Sequence, residues 1–500
     1  MLLSDLPKLI NIIDEIIPED SSVFFLEKEA SDCIETCLQL MYEFVNDNPT
    51  AICEPDFYET MIENVKELFS VHFDFDNNIL LNEEAEDDFD EIIDIAVDLF
   101  YLHFMPIRSY SDTFVIPKNK KQLTSISTQI TILKNKPQPQ QRTKEWYEFR
   151  NNLITASNAY KAFENQATRN QLIYEKCQSK SNYDEMAAAT TTTTTAIATA
   201  TATTTNHVNI NSPLHWGQKY EPISVMYYEN KYNTKVQDFG CIQHNKYSFI
   251  GASPDGIISD HTLPNYGRML EIKNPISREI DGVPIKEYWI QMQLQMETCN
   301  LDECDFLETK FMEYESESDF KNDGEFFTSA KDEMKGIIMY FSDKDGNPSY
   351  LYKPLKMTEE YFGEVWEAEK MEEKDKQGYV WIKNIYWRLE EVSCVLVLRN
   401  NMWFHDNVDI LKELWNIIEK ERNDGYTHRA PNKRPKKIDV SISIPESDQE
   451  CVDTGNMNNG CLLSMDKTSG KIGINVLAIP NFNNIIKIRT ESIDETKIDM

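Results

Sequence analysis

Two short stretches bring together residue types that hydrolyse phosphodiesters. The first, Ser253-Pro-Asp255-Gly256, leaves the apolar run Ile250-Gly-Ala252. The second, Glu271-Ile-Lys273, lies within an apolar run that starts at Met269. Pro-Asp-Gly is turn chemistry, so Asp255 projects from the end of a strand. Glu271 and Lys273 are two apart, so in a strand their side chains share a face while Ile272 points the other way, into the core. Two carboxylates and one ammonium group can then converge on a point. Hard oxygen donors of this kind select Mg²⁺, with Mn²⁺ the alternative. Such an ion polarises a phosphoryl group and activates water. Lys273 would orient or deprotonate that water, or stabilise the charge of the transition state. Glu308-Thr-Lys310 repeats the spacing, but no Pro-Asp turn closely precedes it, so it reads as ordinary strand.

Three further features add to this set. Trp216-Gly-Gln-Lys-Tyr-Glu221-Pro222 places an acid on a helix upstream, able to add a metal ligand directly or through water. Gln291 and Gln295 are four apart and share a helix face, whereas Gln293 faces differently. Arg150 offers a planar fork for phosphate, and Ser157, shortly after it, offers a hydroxyl donor.

The elements that must position these groups alternate in type. Apolar spacing predicts helices at Lys144–Arg150, over Pro213–Lys231 with Trp216, Tyr220, Ile223 and Tyr227 on one side, and over Pro284–Cys299. Strands are expected at Ser248–Gly251, Met269–Ile272, Asp305–Phe311, Gly336–Phe341 and Val392–Leu398, with a helix at Asp406–Glu421. That order indicates an α/β domain with a central mixed sheet, here residues 144–425.

The flanks differ in composition. Of the net charge of -34, residues 1–115 hold -24, with 28 Asp and Glu against 4 Lys and Arg. Ile92, Ile93, Ala96, Val97, Phe100, Tyr101 and Phe104 recur there at helical spacing, so this region reads as an independent acidic helical domain. A sharper reading makes it a DNA mimic or a dock for a basic partner. Residues 116–143, rich in Lys, Gln, Ser, Thr and Pro, read as a linker. Residues 187–205 are almost pure Ala and Thr and read as a disordered insertion. Residues 426–500 read as a flexible tail that opens with the basic cluster Arg429, Lys433, Arg434, Lys436 and Lys437.

Several classes are disfavoured. No run of about 18 uncharged apolar residues occurs, so no membrane span is expected. The N-terminus lacks the form of a secretory signal. Ten cysteines without a Cys-x-x-Cys pair, and eight scattered histidines, point to reduced thiols and away from zinc. The acidity argues against a nucleic-acid partner only until its location is considered, because most of it lies outside the α/β domain.

The motifs resemble those of the lambda exonuclease and YqaJ-like viral recombinase family, within the PD-(D/E)xK nuclease superfamily. The match runs through Trp146, Arg150 and Ile154-Thr155-Ala156-Ser157, then Gly217 and Glu221. It continues through Ser253 to Gly256, Glu271 with Lys273, and Tyr288 with Gln291 and Gln293. The resemblance covers residues 142 to 300 and implies a PD-(D/E)xK core of central mixed sheet and flanking helices. It implies Asp255 and Glu271 as metal ligands, Lys273 as the catalytic lysine, and Glu221 as support for the metal. Arg150, Ser157, Ser253 and Gln291 would form a pocket for the 5′-phosphate of the degraded strand. The implied activity is a metal-dependent 5′-to-3′ exonuclease on double-stranded DNA ends, serving viral or phage-type recombination, repair or genome processing. Two other readings use the same core: an endonuclease or branched-DNA nuclease, and a non-catalytic DNA-binding scaffold. The resemblance also suggests a strand-annealing protein as partner and allows a homo-oligomer. For a viral chain the expected location is intracellular, in the host cytoplasm or nucleus. Lys219, Lys231, Lys235, Arg268 and Lys286 are candidate DNA contacts near the motifs, with simple solvation the alternative for each.

Overall fold

The computed structural model describes residues 27–72, 83–139, 143–178, 209–210, 212–431, 463–465 and 472–474. The Ala/Thr stretch 187–205 and the basic residues Lys433, Arg434, Lys436 and Lys437 lie outside the described residues. The chain divides into two units, residues 1–433 and 434–500.

The first unit begins with helices α1 (Glu27–Asp47), α2 (Phe57–His72) and α3 (Glu83–His103). As expected from their spacing, Ile92, Ile93, Ala96, Val97 and Phe100 are buried. Helix α4 (Lys120–Asn135) follows, then α5 (Lys144–Asn151), α6 (Gln166–Cys177), α7 (Pro213–Lys231), α8 (Lys286–Cys299) and α9 (Asn401–Asp424). The strands are β1 (Ile154–Thr155), β2 (Ile242–Gln243), β3 (Ile250–Ala252), β4 (Gly256–Ile257), β5 (Met269–Lys273), β6 (Glu303–Glu313), β7 (Lys335–Ser342), β8 (Pro348–Tyr352) and β9 (Val380–Leu398). A six-stranded sheet runs β4-β5-β6-β9-β7-β8, and a smaller sheet runs β1-β3-β2. Only β5–β6 in the large sheet and β1–β3 in the small one are parallel pairs; the others are antiparallel. This is the mixed α/β architecture expected. In the second unit, the described residues form one antiparallel hairpin, β10 (Leu463–Met465) with β11 (Ile472–Ile474).

Three expectations differ from what is observed. Residues 116–143 are not a plain linker, because α4 occupies their centre. Asn119 and Gln122 form a reciprocal capping box at its start, and Ile130 and Leu133 bury on one side. Gln129 donates to the Cys299 carbonyl at 2.6 Å. Thr124, Thr128 and Thr131 each turn a hydroxyl onto the carbonyl one turn back, which satisfies these hydroxyls within the helix.

The N-terminal helices are likewise not independent. Their apolar faces join those of β3, α8 and α9 in one continuous cluster, from Ile34, Met41 and Phe100 to Ile250, Trp289 and Trp403. Polar ties cross the same boundary. Trp289 Nε1 donates to the Arg108 carbonyl at 3.1 Å, Asn407 donates to Pro49 at 3.1 Å, and Lys286 pairs with Glu54 at 2.7 Å.

Third, β9 is a strand of 19 residues where only its last turn-free apolar run was expected. Its N-terminal half pairs with β7 and its C-terminal half with β6. Lys383, Arg388 and Glu390 interrupt the apolar pattern of the first half and conceal it.

Candidate active site

The eight residues singled out above meet at one place. Arg150, Ser157, Glu221, Ser253, Asp255, Glu271, Lys273 and Gln291 all line a single cleft of about 730 Å³.

The floor is built by β5. Its antiparallel pairing places Leu270 opposite Gly256 at the Pro-Asp-Gly turn. Any Cβ at Gly256 would lie 2.0 Å from Val236 Cγ1, so only glycine lets the turn close here. Asp255 then reaches across, and its Oδ2 accepts the Ile272 N–H at 2.7 Å. Glu271 and Lys273 emerge together on the cleft side, while Ile272 is buried in the opposite cluster.

Glu271 is almost fully buried and held by three donors. Gln291 and Lys273 donate to Oε1, and Gln295 donates to Oε2 at 2.6 Å. Lys273 also donates to Gln291 Oε1 at 3.3 Å and stands 4.8 Å from the centre of the Tyr288 ring. Gln295 was not among the expected site residues, although its four-residue spacing from Gln291 pointed to it. Gln293, a member of the family motif, turns away and donates to the Leu398 carbonyl at 3.0 Å.

The electrostatics are those of crowded carboxylates. Burial first, then the charges of Glu271 and Glu221, push the Asp255 carboxyl well above its usual range. Burial alone would lower Lys273, but Glu271 and Asp255 outweigh it and hold its pKa above the ordinary lysine range. Lys273 therefore stands as a cation. The donors present are carboxylate oxygens, which suit a hard divalent ion. Among the described residues, no three His, Cys, Asp or Glu side chains form a closed metal cage. Mg²⁺ commonly binds through one or two carboxylates, with water and substrate phosphate completing its shell, so the Asp255–Glu271 pair fits that ion.

The opposite end of the cleft is built for an anion. Thr143 caps α5 by accepting the Trp146 N–H at 3.2 Å. One turn on, the Arg150 guanidinium lies 4.4 Å from the Trp146 ring centre. It makes long contacts to three hydroxyls, Ser157 at 3.3 Å, Ser253 at 3.4 Å and Thr155 at 3.5 Å, and also interacts with the Cys241 thiol. No carboxylate pairs with it among the described residues. The parallel register of β1 and β3 sets Thr155 beside Gly251, so Ser157 and Ser253 each follow the paired ends by two residues. Lys176 and Arg422 secure the helix end by donating to the Arg150 carbonyl at 2.8 Å and the Asn151 carbonyl at 2.7 Å.

Residues 145–302 match the family described as the YqaJ-like viral recombinase domain. This chain is similar to that family over those residues. Its cleft residues all fall within the match. An uncharacterized protein of Acanthamoeba polyphaga mimivirus is 29% identical over 349 residues, covering 63% of this chain. The match spans 58% of that relative's length. Two crystal structures of LHK-Exo, an alkaline exonuclease from Laribacter hongkongensis, one of them in complex with dAMP, are each 18% identical. Each alignment covers 56% of this chain and 97% of the other, with a TM-score of 0.29.

Among the candidate DNA contacts near the motifs, Lys219, Arg268 and Lys286 are engaged within the protein, while Lys231 and Lys235 are exposed. Lys219 is buried against Glu313, and Arg268 is buried against Glu303 at 2.7 Å and Asp305 at 3.2 Å. Lys286 is held by Glu54 and Glu164, and Lys235 by Glu229. Lys231 is exposed. In the tail, Arg429 is spent on Glu421 and Asn170. The partners of Lys219, Arg268 and Lys286 are distant in sequence, so those pairings were not visible in the local pattern. Among the described residues, no helix is long and apolar enough to cross a membrane.

Proposed function

We propose that this chain is a metal-dependent nuclease that degrades double-stranded DNA from its ends in the 5′-to-3′ direction. The observation that carries the reading is an Arg150 beside three hydroxyls and, among the described residues, without a carboxylate, in the same cleft as the Asp255, Glu271 and Lys273 cluster. An anion is wanted at one end, and a cation at the other.

Arg150, Ser157 and Ser253 would take the terminal 5′-phosphate, which sets the register and the polarity of attack. Gln291 lies between the two ends and bonds both Glu271 and Lys273. Asp255 and Glu271 would hold Mg²⁺ or Mn²⁺, with Glu221 adding negative charge nearby. The chemistry such an ion supplies is Lewis-acid polarisation of the scissile phosphate. Lys273 keeps its proton on Nζ and presents a fixed positive charge to the negative charge that develops on phosphorus. Gln291 and Gln295 keep Glu271 oriented while that charge builds. The similarity to the YqaJ-like family supports a role in recombination, repair or genome processing, with a strand-annealing protein as partner.

The test uses linear duplex DNA with a 5′-phosphate, against 5′-hydroxyl and covalently closed circular controls. Mg²⁺ is supplied or chelated, and Lys273→Ala runs alongside. The expected result is metal-dependent loss of the phosphorylated strand alone, absent in the variant. Cleavage of circles would replace the reading with an endonuclease. Binding without cleavage, by a folded protein, would replace it with a scaffold.

A further inference from the structure

A second guanidinium faces the cleft on the other side of Lys273. Arg278 follows β5 by five residues and lines the same cleft, with 33% of its side chain exposed. Its Nη2 donates to Glu308, and its Nη1 donates to the Glu279 carbonyl at 3.2 Å. Glu308 is completely buried, and its Oε2 has no hydrogen-bond partner among the described residues. In the parallel pairing of β5 and β6, Glu308 is the register partner of Lys273. Their side chains therefore emerge on one face. The Tyr288 ring sits between the two cations, 4.8 Å from Lys273 Nζ and 5.8 Å from the Arg278 guanidinium carbon.

These contacts form one chain through the cleft. Arg150 touches Ser253, whose carbonyl accepts from Gln295 at 3.3 Å. Gln295 holds Glu271, Glu271 holds Lys273, and Tyr288 links Lys273 to Arg278. The two arginines stand at its ends, with the hydrolytic cluster between them. A fully buried carboxylate is costly unless a cation offsets it. A solvated loop arginine needs no such anchor, so the arrangement fixes the guanidinium in advance, and among the described residues its hydrogen bonds go to Glu308 and the Glu279 carbonyl.

We propose that Arg278 is a second phosphate-binding residue. It contacts the DNA backbone on the side of the scissile phosphate away from the Arg150 pocket, and Glu308 is its positioning residue. The inference rests on the nuclease reading and adds to it a second backbone contact. A planar fork that stays charged at all relevant pH suits this task better than a lysine.

The test uses the full chain as wild type, Arg278→Gln, Arg278→Lys, Glu308→Gln and the double Gln variant. Steady-state constants are measured on 5′-phosphorylated duplex, and DNA affinity is measured over a salt series with Ca²⁺ replacing Mg²⁺. Arg278→Gln is expected to raise KM about ten-fold with little change in kcat, and to reduce the slope of log affinity against log salt by about 1. Arg278→Lys keeps the charge but loses the fork, so KM rises while the slope holds. Glu308→Gln moves KM in the same direction, and the double variant is no worse than Arg278→Gln. If Arg278→Gln folds poorly, the Arg278→Lys and Glu308→Gln results decide. Unchanged KM and salt slope, in variants of a wild type that does cleave DNA, would make the pair purely structural and overturn the inference. A wild type that neither binds nor cleaves DNA would overturn the nuclease reading, and this inference with it.

Discussion

Gln291 and Gln295 stand one turn apart on α8 and each donates, at 2.6 Å, to a different oxygen of Glu271. Glu271 is thereby locked in orientation from both sides while Lys273 holds it from a third. Groups that orient a metal ligand typically change metal affinity or activity by about 10–100-fold when removed. Gln295→Leu keeps the volume and deletes the Oε2 donor. The Mg²⁺ concentration for half-maximal cleavage should rise by about that factor, with a stability loss of about 1–3 kcal/mol for the stranded oxygen. An unchanged Mg²⁺ dependence in a folded variant would remove Gln295 from the site.

Leu133 and Ile130 dock α4 onto the rest of the first unit, and both are buried. If this helix is part of the fold, Leu133→Ala should cost about 2–5 kcal/mol in urea unfolding, as large-to-small core changes do. A linker helix would lose almost nothing. The midpoint of the unfolding curve separates the two outcomes.

The site was legible because its parts are local. A Pro-Asp-Gly turn, a two-residue strand spacing and a helical turn each need only a few neighbours to interpret. Asp255, Glu271, Lys273 and Arg150 could therefore be placed before any contact was known. What stayed hidden depends on register between distant strands. Glu308 looks like part of an ordinary strand until β5 and β6 pair in parallel and set it beside Lys273. Arg268 looks like a DNA contact until Glu303 and Asp305 arrive from the next strand. Helix α4 was hidden for a different reason. Its threonines and lysines dilute the apolar signal, and its capping box, Asn119 with Gln122, is too short a pattern to stand out in a Lys- and Gln-rich segment.

Arg150 makes no carboxylate pair among the described residues, and its contacts are long ones to hydroxyls and one to the Cys241 thiol, so its charge is available for an incoming phosphate. The ratio of cleavage rates on 5′-phosphate and 5′-hydroxyl ends measures that interaction. Arg150→Ala should bring the ratio close to 1, chiefly by slowing the phosphorylated substrate. Arg150→Lys should recover little of it, since a point charge cannot reproduce a bidentate fork or the stacking on Trp146. A ratio that survives in both variants would place end recognition elsewhere.

Lys176 lies beneath this pocket, buried, with its Nζ on the Arg150 carbonyl at 2.8 Å. Burial first, and the Arg150 charge next, bring its pKa from the ordinary 10.5 down to about 7. Glu175 and Cys241 pull the other way, while Arg422 adds to the depression. The direction of the stability effect follows from proton counts. Below pH about 7 both folded and unfolded chains hold the proton, so this group adds no slope. Between about 7 and 10.5 the unfolded chain keeps a proton that the folded chain has shed, and stability rises with pH. Lys176→Met removes this titration. The stability of the wild type relative to the variant should therefore be flat below neutrality and climb above it, by at most about 1.4 kcal/mol per pH unit. Urea unfolding of both proteins at pH values on either side of neutrality checks this. A difference that stays constant through that range would mean Lys176 keeps its proton in the folded protein. The carbonyl end of α5 would then be capped by a permanent cation.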